Sequence, residues 1–120
     1  MKKFGLACAA AAFALSGAAA AQGDLKGFGT AQCGDLVNIW DGATYEERGQ
    51  ILLAVGQWTF GYLSGRNAEL RLADRKELAA LDSDDTALFI LTQCRDFPDV
   101  FVYQIADIIY EAAPFVSPGV

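Results

Sequence analysis

Residues 44–65 read TYEERGQILLAVGQWTFGYLSG, and this stretch decides the fold. Thr44 and Glu47 stand in capping-box spacing, where each side chain can satisfy a backbone amide at a helix start. Ile51, Val55, Trp58 and Tyr62 recur at i, i+4, i+7 and i+11. Leu52, Thr59 and Leu63 widen that stripe into the apolar face of one helix, about 20 residues long and ending near Gly65. Gly49, Gly56, Gly61 and Gly65 lie inside it, each costing about 1 kcal/mol against alanine. Such a cost is usually offset by close approach of another backbone, so Gly61 and Gly65, four apart, are expected to form a groove for a neighbouring helix.

Outward from this helix the pattern stays helical. Upstream, Leu36, Val37 and Trp40 share one face of a short helix over Cys33 to Trp40, with Thr30 as its cap and Asp41-Gly42 as its stop. Downstream, residues 66–83 are polar and mixed, and Asp74 and Glu77 are placed to cap a short helix over Arg75 to Leu81. The next long helix begins after Ser83. Asp84 and Asp85 stand in its first turn and Arg95 in its last, the signs the helix dipole favours. Ala87, Leu88, Ile90, Leu91 and Cys94 are its apolar side. Asp96 as cap and Pro98 in the first turn predict the last helix. Its face is Phe101, Ile105, Ile108 and Ala112, widened by Val102 and Ile109, with Gln104, Asp107 and Glu111 towards solvent and Pro114 as terminator. No turn dipeptide sits between alternating segments. The expected fold is all-α: a small four- to five-helix bundle stapled by one disulfide.

The staple follows from the ends of the chain. Lys2 and Lys3, an alanine-rich apolar run from Phe4 to Leu15, and the small residues Ser16 to Ala21 read as a secretory signal peptide over 1–21, cleaved near Ala21. The run is too short and too alanine-rich for a stable membrane span. Cys8 is too close to the lysines for a lipidation site. Residues 22–32, with three glycines, read as a flexible arm, 33–113 as the helical domain and 114–120 as a tail. The exported chain then keeps two cysteines, Cys33 and Cys94, and two cysteines in an exported chain read as one disulfide.

Removing Lys2 and Lys3 leaves seven basic and fifteen acidic side chains, a formal charge of −8. That balance argues against nucleic acid as partner. With no histidine, His-based catalysis, imidazole-ligated metal and imidazole pH switches are excluded. No enzyme is expected, since no activated nucleophile, phosphate loop or metal-ligand set is signalled. Glu46-Glu47 and Asp84-Asp85 are adjacent carboxylates at helix starts, where capping accounts for them. Asp82 to Asp85 lack the glycine and terminal glutamate of a calcium loop, so neither metal nor cofactor is expected. Only carboxylates titrate between pH 2 and 7 here, with reference values near ~4. In strong acid the exported chain turns positive, to roughly +7 to +8. Leu53, Phe60, Tyr103 and Tyr110 lie off the main apolar faces, and this surplus points to a dimer interface or a client-binding surface.

Several pieces of the chain resemble those of a known family. They are Cys33-Gly34-Asp35-Leu36 at the first helix, Trp58 followed by Gly61-Tyr62-Leu63-Ser64-Gly65-Arg66-Asn67, and Leu91 three before Cys94 with Pro98 soon after. Over about residues 30–113 the chain resembles the HdeA/HdeB acid-stress chaperone family of the bacterial periplasm, its Gly-Tyr-rich α-proteobacterial members most of all. The resemblance implies a periplasmic, disulfide-linked helical protein, with Cys33 and Cys94 as the family's pair. It implies a homodimer at neutral pH that loosens in acid and holds unfolding periplasmic proteins without ATP. Trp58, Tyr62, Phe101 and Ile105 are the expected client- or dimer-binding residues, chosen by hydrophobicity. The chain departs from the family's lysine-rich character: Lys26 and Lys76 are its lysines after cleavage, and its C-terminal tail is uncharged. The rival reading is an exported immunity or inhibitor protein that binds a toxin or hydrolase, for which an acidic surface suits a basic partner.

Overall fold

The computed structural model describes residues 27–117, so the signal-peptide reading of 1–21 lies outside the described residues. Four helices follow one another, with no strand among the described residues: α1 Cys33–Asp41, α2 Tyr45–Ala68, α3 Ser83–Asp96 and α4 Val102–Ala112. The expected capping box opens α2: Thr44 N–H donates to Glu47 Oε1 at 2.8 Å, and Glu47 N–H to Thr44 Oγ1 at 3.2 Å. At α3 the cap is Asp82, which accepts from Asp85 N–H at 3.0 Å.

The Cys33–Cys94 disulfide joins the first residue of α1 to the last turns of α3. Both cysteines are fully buried beside Leu36, Val55, Ile90 and Val102, so the bridge lies in the main core. A second cluster of Leu63, Ala106 and Tyr110 lies between the C-terminal half of α2 and α4. Trp58 packs against both clusters.

Several local expectations are corrected. The glycine that another backbone approaches is Gly56: a Cβ there would come within 3.0 Å of the Ser83 carbonyl oxygen and would overlap the Ser83 hydroxyl. Gly61 and Gly65 have no such neighbour within 4 Å. Residues 75–81 form no helix. A short 3-10 turn, Leu72–Asp74, precedes them, and the backbone at 75–77 pairs with the segment after α4. Glu77 N–H donates to the Pro114 carbonyl and Val116 N–H to the Arg75 carbonyl. A helix over 75–81 would spend the Arg75 carbonyl on its own ladder and leave Val116 N–H without this partner.

The last helix starts at Val102 rather than near Asp96, because its expected first turn caps α1 instead. Cys33 N–H donates to the Val100 carbonyl at 2.7 Å and Gly34 N–H to the Pro98 carbonyl at 2.8 Å. These amides have no partner inside α1, and the residue before the helix, Gln32 and not Thr30, supplies no side-chain cap. The buried stripe of α4 is therefore Val102, Ile105, Ala106 and Tyr110, flanked by Ile109, while Phe101, Ile108 and Ala112 are exposed. Tyr110, expected off the main face, is buried because its ring fills the second cluster and its hydroxyl has a partner in Asn67. Of the expected arm, Gly27–Thr30 forms a 3-10 turn, in which a side chain at Gly29 would overlap the Trp58 indole.

Candidate functional site

Along the seam between α2 and α4, two residues one turn apart on α2 reach across to the last helix. Tyr62 O–H donates to Asp107 Oδ1 at 2.7 Å, and Arg66 Nη1 donates to the same oxygen at 3.0 Å. Arg66 Nη2 reaches Glu111 Oε2 at 3.4 Å, so one guanidinium ties two carboxylates a helical turn apart. Its carbon lies 4.1 Å from the centre of the Tyr110 ring. Trp58, a turn before Tyr62, stacks on it with centroids 5.1 Å apart and planes 12° apart.

The seam continues into the connection after α2. Tyr110 O–H donates to Asn67 Oδ1 at 2.6 Å. The Asn67 side chain also pairs with the Lys76 backbone in both directions, at 2.8 and 2.9 Å. Lys76 Nζ donates to the carbonyls of Glu111 and Ala113, at 3.2 and 2.9 Å. It therefore satisfies carbonyls that the end of α4 leaves without helical partners. It also lies 4.3 Å from the centre of the Phe115 ring.

Burial pushes the Tyr62 phenol up to about 12, and the hydrogen bond to Asp107 adds to it. Folding thus holds this proton more tightly than the unfolded chain does. The stabilisation is complete below the ordinary tyrosine value of 10.0 and is lost as pH rises through about 12. In an alkaline absorbance titration, the difference between the protein and its Tyr62→Phe variant should show a phenol ionising only near pH 12. An amplitude centred near 10 would show that the seam is open in solution.

A second charged tie joins the ends of α1 and α3: Arg95 grips Asp41 with both terminal nitrogens, at 2.7 and 3.2 Å. The hydrogen bond from Arg95 holds the Asp41 carboxyl below its ordinary value of 3.8. The depressed value means that the pair stabilises the fold above pH 3.8 and stops doing so as pH falls through the lower, folded value.

The expected site residues are distributed between surface and core. Cys33 and Cys94 are bonded to each other. Trp58 and Tyr62 are together and half-buried. Phe101 is exposed at the start of α4 and stacks on Tyr103, while Ile105 is 2% exposed and belongs to the core. Asp107 and Glu111, read from the sequence as a solvent stripe, are the α4 half of the seam. Arg66 and Asn67 close the Gly-Tyr segment, but nothing in their spacing says which carboxylate or amide they meet.

Among the described residues, no group of three or more Asp, Glu, Cys or His side chains is arranged to hold a metal ion. No helix there is long and apolar enough to cross a membrane. Compared with protein-family models, curated proteins and solved structures, the chain matches none. Fold and seam define its class as a small all-α bundle stapled by one disulfide.

Proposed function

We propose that this chain is exported to the periplasm and acts there, without ATP and without catalysing a reaction, as an acid-stress chaperone of the HdeA/HdeB type. In this reading it is a homodimer at neutral pH, and in acid it exposes apolar surface that holds unfolding periplasmic proteins. The observation that carries the reading is where the charged ties end. The arginine ties between helices rest on carboxylates that stay more than a third exposed: Asp41 for α1 and α3, Asp107 and Glu111 for α2 and α4. As pH falls through the lowered value of Asp41 its tie to Arg95 is lost, and the chain as a whole turns positive in strong acid. The part of the seam at Trp58 and Tyr62 then opens, while the Lys76 bonds to the Glu111 and Ala113 carbonyls, which do not titrate, still hold the end of α4; Phe101 is already outside.

The test is aggregation of an acid-sensitive client between pH 2 and 7, with and without residues 22–120. Protection is expected only in acid, below about pH 4, where carboxylates take up protons. Asp107→Asn places a neutral group where the seam needs charge, and should weaken the fold by about 1 kcal/mol at this half-exposed pair. It should extend protection to higher pH. Absence of protection at every pH, for both proteins, would sink the chaperone reading and leave the fold unaffected.

A further inference from the structure

Between α3, α4 and the connection at 77–81 lies an apolar groove of about 400 Å³. Leu81, Phe89, Ile108 and Ala112 form its floor and walls, with Phe89 40% and Ile108 51% exposed. Its polar rim carries one sign of charge: Glu77 and Asp85 line it, and no lysine or arginine does. Lys76, next to Glu77 in sequence, is engaged with the Glu111 and Ala113 carbonyls.

We propose that this groove docks an amphipathic helix of a partner protein, with apolar residues on one face and lysine or arginine flanking them. The volume takes two or three side chains, the number that successive turns of a docked helix insert. Six of the lining residues lie on α3 and α4, whose backbone bonds are internal, and Glu77 N–H on the connection beside them already donates to the Pro114 carbonyl, so little free backbone is offered to an added strand. Carboxylates at the mouth repel an anionic ligand such as a fatty acid and attract a basic flank.

A second copy of this chain does not fit the description. Helices α1 and α4 carry no basic residue. The arginines of α2 and α3 are committed within the chain: Arg48 to the Trp40 carbonyl, Arg66 to Asp107 and Arg95 to Asp41. The Glu77 and Asp85 rim would attract a basic partner at neutral pH, apart from any acid activation.

The test uses isotopically labelled residues 22–120 at pH 7 and three synthetic peptides of about 18 residues, long enough to form a helix. One places leucines on one helical face and lysines on the other, the second replaces lysine by glutamate, and the third scrambles the first. The lysine peptide should shift amide resonances at 77–89 and 108–114 and bind about tenfold more tightly than the other two. Added salt should weaken it. Ile108→Asp should abolish binding with the helical circular dichroism intact. Glu77→Lys with Asp85→Lys, both on the surface, should weaken it by about tenfold. Equal binding of the scrambled peptide, shifts outside these segments, or indifference to the charge reversals would overturn the proposal. So would a dimer in sedimentation that Ile108→Asp converts to monomer, because the groove would then lie between two copies.

Discussion

Reducing the Cys33–Cys94 disulfide, or replacing both cysteines by alanine, should lower the unfolding free energy by about 4 kcal/mol, the chain-entropy value for a loop of this size. The two residues are 61 apart, so the bridge closes α1, α2 and most of α3 into one loop. Without it the unfolded chain gains the freedom that the loop denies it. The native side loses as well, because both sulfurs lie at full burial in the main core beside Leu36 and Ile90. Small domains are typically stable by only about 5–15 kcal/mol, so a loss of this size leaves a marginal fold. Urea unfolding with and without reductant measures it. A shift in stability under about 1 kcal/mol would show that the helices hold together without their staple.

Lys76→Met should cost about 2–3 kcal/mol, the range for losing hydrogen bonds from a charged donor. Methionine keeps the apolar stem and removes the ammonium. The Glu111 and Ala113 carbonyls then lose their donor at the end of α4, and Phe115 loses its cation. Lys76 is only 9% exposed, so water cannot simply replace it. Its pH dependence separates this tie from the others. The partners of Lys76 are carbonyls, which do not titrate, so the destabilisation should be as large at pH 3 as at pH 7. For Asp41→Asn it should shrink as pH falls below 3.8, because the wild-type pair is itself being lost there. Urea unfolding of the two variants at both pH values makes the comparison. Equal pH dependence would mean that the Lys76 contact is not made in solution.

These contrasts follow what each residue could reveal before folding. Thr44 and Glu47 carry their partner in their own spacing, so the start of α2 is legible as a string. Asp84 and Asp85 mark the start of α3 through the dipole, though the helix begins one residue earlier, at Ser83, with Asp82 as the cap that the spacing did not single out. Cys33 and Cys94 leave one pairing once Cys8 is assigned to the signal peptide. Lys76 has no such local partner. It sits in a mixed polar stretch, and its importance comes from the end of a helix 35 residues away. The same holds for Gly56, whose neighbour is Ser83, and for Arg66, whose carboxylates lie on α4.

The sequence by itself determined the all-α class, the order of the four helices, the cap of α2, and the disulfide. Each of these rests on contacts between near neighbours or on the count of one residue type. Tertiary structure alone decided that residues 97–101 cap α1 instead of starting α4. It also decided which face of α4 turns inward, and that Asp107 and Glu111 meet Arg66 rather than water. The physical reason is one of range. A backbone amide or a carboxylate takes whichever partner folding brings within about 3 Å. When that partner lies on another helix, no spacing along the chain records it.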